Sequence, residues 1–236
     1  MYYLGVDVGS SSIKIALVEK STGKSLGVVK EPSEEMGIQS LVKGWAEQQP
    51  DDWWNYVCKG IYRIKKDHGI SGKDIIGIGI AYQMHGLVLI DSKGNSLRKA
   101  IIWCDSRAVE IGNRAYEEIG KEKCDTKLLN APGNFTASKL AWIKENEPER
   151  YQEVYKFMLP GDYIAFRFSN KVNTTSPGLS EGIFWDFTTD QISDMVLNHY
   201  GFESDMLPEI VNTFSIQCAV SEEGAKQSGW EAGTPI

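Results

Sequence analysis

Asp7-Val8-Gly9-Ser10-Ser11-Ser12-Ile13-Lys14 is a turn of one glycine and three hydroxyl residues set between two runs of strand-forming residues. Tyr2 to Val8 leads into it, and Ile13 to Glu19 leaves it with Ile13, Ile15 and Leu17 alternating with polar or small positions. Ser21-Thr22-Gly23 then punctuates the chain before a third run, Ser25 to Lys30. Three short strands on tight turns predict an antiparallel meander. The turn also carries chemistry. Gly9, Ser10, Ser11 and Ser12 are small enough for backbone amides and hydroxyls to converge on an anion, and Lys14 can neutralise its charge. Asp7, at the strand end, suits Mg²⁺ held through water, because that ion keeps several waters and uses few carboxylates. The same residues equally fit a plain hairpin turn with Asp7 as a turn acceptor. The spacing of a Walker A loop is absent.

Downstream the period changes. Trp53, Val57, Ile61 and Ile64 recur at helical spacing between Pro50 and Asp67, behind the acidic start Pro50-Asp51-Asp52. Ile75 to Tyr82, Leu87 to Ile90 and Ala100 to Trp103 read as strands, the last followed by a helix from about Arg107 to Ile119. Further helices are expected near Ala137 to Glu145, Pro148 to Val154, Gly161 to Phe168 and Thr189 to Tyr200. Strands followed by helices in this order predict one α/β domain with a mixed sheet, the helices of 107–200 packing as an insertion or cap.

The 236 residues are enough for a sizeable core, and 42% hydrophobic with 24% charged residues is the composition of an ordinary globular domain. A net charge of −7 argues against nucleic acid as the main partner, since phosphate backbones are bound through an excess of Lys and Arg. No apolar run is long enough to predict a membrane span, and Met1-Tyr2-Tyr3-Leu4-Gly5-Val6-Asp7 lacks the basic start of a signal peptide. Cys58, Cys104, Cys124 and Cys218 show no metal-ligand spacing and are expected as free, mostly buried thiols in a reducing cytoplasm.

Strand–Asp–x–Gly–small–hydroxyl–strand is similar to the first phosphate motif of the sugar kinase, Hsp70 and actin superfamily. Four further segments resemble FGGY-family carbohydrate kinases, in that family's order. They are Trp45-Ala46-Glu47-Gln48-Gln49-Pro50-Asp51-Asp52-Trp53-Trp54, Gln83-Met84-His85-Gly86, Trp103-Cys104-Asp105-Ser106-Arg107, and Phe135-Thr136-Ala137-Ser138-Lys139-Leu140-Ala141-Trp142. Gln83-Met84-His85-Gly86 resembles the sugar-site signature of the xylulokinase branch. The resemblance implies a ribonuclease-H-like α/β domain of the actin/hexokinase ATPase type, with a mixed sheet and a helical insertion, and residues 1–236 as the N-terminal, sugar-binding FGGY domain. It implies ATP and Mg²⁺ as cofactors and ATP-dependent phosphorylation of a ketopentose, D-xylulose first. Another acceptor (ribulose, gluconate, glycerol) and a non-catalytic sugar-binding module stay open, as does a homodimer.

The resemblance places Met84 and His85, with Gln83, against the ketose; read alone, a His beside a Met also fits a structural residue. Trp103 can stack on a sugar face, while Asp105 and Arg107 can bind hydroxyls or each other. A core Trp with Asp105 as a helix cap is the other reading. Cys104 stands where the family usually has Asn, which leaves the sugar open. Lys139 and Trp142 read as a surface charge and packing. In similar families the base that accepts the hydroxyl proton is an Asp in a Gly-rich segment just past a Gly-Thr-Pro-Ile-like entry. The sequence given ends at Gly233-Thr234-Pro235-Ile236. The base and the nucleotide-binding domain are therefore expected beyond Ile236, and the polypeptide alone is expected to be inactive.

Overall fold

Tyr2–Val8 (β1) pairs antiparallel with Ile13–Glu19 (β2), which pairs antiparallel with Ser25–Glu31 (β3), in a computed structural model that describes residues 1–236. Strand Ile75–Tyr82 joins the other side of β1 in parallel, so the sheet runs β3, β2, β1, Ile75–Tyr82 and is mixed. Alternation sends Leu4, Val6, Val8, Ile13, Ile15 and Leu17 to one face, where all are buried. Helix α1 (Pro50–His68) covers that face with Trp53, Val57, Ile61 and Ile64, each worth about 1.5–3 kcal/mol on full burial. The helix opens on Pro50 with Asp51 and Asp52 in its first turn. It closes on Gly69, left-handed at φ 62°, behind Lys65, Lys66 and His68.

Three short strands separate two cores. Val88–Ile90 pairs with Lys156–Met158, and Leu87 bridges to Ile101 of strand Ala100–Ile101. Because successive side chains point to opposite faces, Val88, Ile90, Ala100 and Met158 join the core under the sheet. Leu87, Leu89, Ile101 and Phe157 join a second core. Helices Val109–Ile119, Thr136–Asn146, Ser176–Glu181 and Asp194–Tyr200 close over that second core. The helical cap expected over 107–200 is thus present, with corrections.

Helix Pro160–Ser169 is not part of the cap, because Tyr163, Ile164 and Phe168 pack into the core under the sheet. The helix expected from Thr189 begins only at Asp194. Asp186 gathers the Thr188 and Thr189 amides into a turn, Gln191–Ile192 pairs with Trp185–Asp186, and Ser193 Oγ caps the helix through the Val196 amide. Strand Ala100–Ile101 stops short of Trp103, and the next helix starts at Val109, two residues past Arg107. No helix is long and apolar enough to cross a membrane.

Candidate active site

The serine turn faces its carbonyls inward. Ser10 O accepts from Gln48 Nε2 at 2.7 Å, Ser11 O from the Met36 amide at 2.8 Å, and Ser12 O from the Gly9 amide at 3.1 Å. A side chain at Gly9 would sit 2.9 Å from that Ser12 oxygen, so the tight turn needs glycine there. With the carbonyls held inside, the amides of Ser10, Ser11 and Ser12 bond nothing in the protein. A concave run of free N–H groups is a nest for an anion such as a phosphate. Ser11 is exposed and Ser12 is buried, so Ser11 is the more accessible of the two. Across the hairpin Asp7 and Lys14 are register partners, and Lys14 Nζ donates to Asp7 Oδ2 at 2.9 Å with both side chains about half exposed. An exposed pair of this kind is weak, so either partner is free to leave for a ligand. No cluster of three or more His, Cys, Asp or Glu is placed to hold a metal directly. Asp7, half exposed and paired only with Lys14, would suit Mg²⁺ bound through its water.

Gln83-Met84-His85 adjoins this turn. Strand Ile75–Tyr82 runs parallel to β1, so the Gln83 amide continues the ladder onto Val8 O at 2.8 Å, next to Gly9. Trp103 reaches the turn from the other side, its Nε1 donating to Ser10 Oγ at 3.3 Å. The serine turn, the Gln83 end of its segment and Trp103 therefore share one rim. Met84 and Trp103 stand about half exposed on that rim, and Cys104 lies open beside them. The four thiols are free, yet only Cys124 is fully buried; Cys58 and Cys218 are partly covered. Both polar atoms of the Gln83 carboxamide are buried without a partner, a cost of about 1–3 kcal/mol per group that a ligand or water would remove.

Asp105 and Arg107 are turned away from the rim. Asp105 is fully buried and accepts from the Ala46 amide at 2.6 Å, the Arg107 amide at 2.8 Å and Arg107 Nη2 at 2.7 Å. The Arg107 guanidinium lies 3.8 Å over Trp45 and 4.9 Å from Trp142, with Glu47 Oε1 at 2.8 Å from Nη1. Of the two roles open to this pair, the fold realises bonding to each other. The saturated carboxylate anchors the turn that carries Trp103.

Two residues that the sequence did not assign to the site surround His85. Lys139, expected as a surface charge, is fully buried, and its ammonium donates one hydrogen bond, to His85 O at 2.7 Å. Helix Thr136–Asn146 buries Thr136, Ala137, Ser138, Leu140 and Ala141 as well, so its first turns have no solvent face for a charge. Burial pulls the Lys139 ammonium down to about 8, against the opposing pull of Asp105. Glu181 ends the short helix Ser176–Glu181. Its Oε1 accepts the His85 amide at 3.2 Å, and its main-chain O lies 2.9 Å from His85 Nδ1. Burial pushes the Glu181 carboxyl up to about 7. Phe135 meets the imidazole edge-on at 4.2 Å between ring centres. Held on three sides, His85 keeps a left-handed backbone at φ 57°, unusual for a residue with a Cβ and a feature that clusters at functional sites. Gly86 follows because a Cβ there would strike the Pro160 ring at 2.5 Å.

The mixed α/β sheet with its helical cap has the architecture of the actin/hexokinase fold. Residues 2–236 match the N-terminal domain of the FGGY family of carbohydrate kinases, and the chain belongs to that family. It is 32% identical over 212 residues to the xylulose kinase of Bacillus subtilis, covering 90% of this chain and 42% of that protein. It is 31% identical over 240 residues to the L-xylulose/3-keto-L-gulonate kinase of Escherichia coli, covering 100% and 47%. The crystal structure of xylulose kinase from Rhodospirillum rubrum superposes with a TM-score of 0.90 at 23% identity, over 100% of this chain and 48% of that one. The chain spans under half the length of these relatives.

Proposed function

We propose that this chain forms the acceptor-binding wall of an ATP-dependent sugar kinase that phosphorylates the terminal hydroxyl of a ketopentose, D-xylulose first. The observation that carries the reading is the shared rim. Trp103 Nε1 touches Ser10 Oγ beside the free amides of Ser10–Ser12, and the half-exposed Met84 follows Gln83, whose amide bonds Val8 O at the edge of the same turn. Phosphoryl transfer asks the protein chiefly to align two reactants and stabilise charge, which requires the two binding sites to adjoin. In this reading the amides of Ser10, Ser11 and Ser12 hold phosphate oxygens and Lys14 releases Asp7 to pair with them. Mg²⁺, held by Asp7 through water, supplies charge neutralisation there. Trp103 and Met84 offer the sugar apolar surface, while Gln83 and His85 offer hydrogen bonds. The base that takes the hydroxyl proton and the adenine pocket belong to a second, nucleotide-binding domain whose closure excludes water.

The pentulose assignment rests on the similarity to xylulose and L-xylulose/3-keto-L-gulonate kinases. Calorimetric titration of the chain with D-xylulose, D-ribulose, gluconate and glycerol tests it: xylulose is expected to bind most tightly. Tighter binding of another member of the panel would move the substrate, and binding of none would remove the sugar site. In the complete kinase, Asp7→Ala is expected to cut turnover at least about 100-fold with little change in KM for the sugar, as for a group that stabilises charge in transfer. Unchanged turnover would take Asp7 out of the site.

A further inference from the structure

His85 is held so firmly that its ring chemistry is decided before any sugar arrives. Nδ1 stands 2.9 Å from the main-chain oxygen of Glu181, and a carbonyl oxygen can only accept, so the proton must sit on Nδ1. Nε2 bonds nothing in the protein and is not among its buried orphan atoms. With Nδ1 protonated, the neutral ring presents Nε2 as a lone pair and nothing else. The main chain is fixed at the same time, its N–H by Glu181 Oε1 and its oxygen by Lys139 Nζ. Burying an ammonium for a single hydrogen bond is expensive, and a carbonyl alone would not repay it. The charge 2.7 Å from the His85 oxygen has a second effect, because it opposes a second proton on the ring.

We propose that Lys139 is a positioning residue that, with Glu181, fixes His85 with its proton on Nδ1 and the lone pair of Nε2 offered to the acceptor, so that the site selects a ligand donating a hydroxyl hydrogen there. The selection rests on the sugar-site reading above; the clamp does not. Burial, with Lys139 reinforcing it and the Glu181 carbonyl opposing it, holds the His85 imidazolium below its usual range. The charged groups facing His85 are Lys139 from helix Thr136–Asn146 and Glu181 from helix Ser176–Glu181. Asp105, Arg107 and Cys104 stand behind Lys139, and Asp162 behind Glu181.

Long-range ¹H–¹⁵N spectra of the labelled chain test this directly, because His68, His85 and His199 are its three histidines and H68Q and H199Q assign them. At about pH 7 His85 is expected to show a protonated Nδ1 and a bare Nε2, and to titrate below the usual His range of about 6.5. D-xylulose is expected to shift Nε2 upfield as it accepts a hydrogen bond. Lys139→Met is expected to raise the His85 midpoint and mix its tautomers, and Lys139→Arg to restore a single one. A wild-type ring protonated on Nε2, or doubly protonated near pH 7, overturns the clamp whatever xylulose does. So does a folded Lys139→Met whose His85 tautomer and midpoint do not move. If Lys139→Met does not fold, the wild-type tautomer decides. The expected tautomer with an Nε2 signal that saturating xylulose leaves in place refutes the sugar-site reading, and the selection falls with it.

Discussion

Replacing Asp162 by Asn should make the protein more stable in alkaline than in acid solution relative to the wild type. Asp162 sits in the first turn of helix Pro160–Ser169, where a carboxylate is ordinarily welcome, and it accepts the Leu159 amide at 3.3 Å. Burial opposes this. At 9% exposure the carboxyl is raised from 3.8 to about 7, with the Leu159 amide and the adjacent Thr174 pulling the other way and Glu181 adding to the rise. Below about pH 4 the folded and unfolded chains both keep the proton, and no stability is lost. Between about 4 and 7 the unfolded chain gives it up while the folded chain holds it, so stability falls as pH rises and levels off above about 7.

The gap between 3.8 and about 7 corresponds to a ceiling of about 4 kcal/mol at 1.36 kcal/mol per pH unit. Relaxation and water penetration around a buried charge leave only part of it, ~2 kcal/mol. Asn keeps the acceptor for Leu159 and adds a donor beside the Thr174 hydroxyl, which is buried without a good partner. Glu181, also raised, is present in both proteins, so its own burial cancels in their difference and what remains is Asp162 with its coupling to Glu181. At about 2–4 °C per kcal/mol, the Asn variant should gain about 4–8 °C in Tm over the wild type between pH 4.5 and 8.5. Differential scanning calorimetry across that range reads it. Parallel Tm profiles for the two proteins would refute the reasoning.

Asp105→Ala should cost about 3–5 kcal/mol in urea unfolding, because it leaves the Arg107 guanidinium buried without its carboxylate; a loss under about 1 kcal/mol would show that Glu47 and the two indoles suffice. Trp103→Ala and Met84→Ala, both half exposed, should leave Tm nearly unchanged while weakening D-xylulose binding about 5- to 30-fold by calorimetry. Lost stability with unchanged affinity would make them structural residues. His85 binding a proton at low pH should weaken folding, since its folded value is lowered: stability is full above about pH 6.5 and declines below it. His85→Gln should flatten that part of the acid limb of the Tm profile, and an unaltered limb would count against it.

Much of the sheet was legible because its signals are local. Strand-forming composition located β1 and Ile75–Tyr82, alternation located β2, and Trp53, Val57, Ile61 and Ile64 located α1, whose helix ends at His68, one residue past the expected Asp67. The shortest elements escaped. Glu47–Gln48, Asn173–Thr174 and Glu209–Ile210 are two-residue strands formed by partners far along the chain, too short to show a period. Helix Glu222–Ser228 was also missed, although Ser221, which caps it through the Gly224 amide, stands before two glutamates and was a readable start.

What the sequence determined by itself was the order of the motifs and the kinds of group they bring: a small-residue turn after Asp7, an imidazole at 85, an indole at 103. What only the tertiary structure decided was which groups face a ligand and which face each other. Asp105 and Arg107 have the chemistry for hydroxyls, yet their carboxylate and guanidinium meet inside; Lys139 read as a surface charge and Glu181 carried no local signal, yet they grip His85. Chain distance explains the difference. A turn is fixed by its neighbours, whereas burial of a charge depends on what arrives from 54 and 96 residues away.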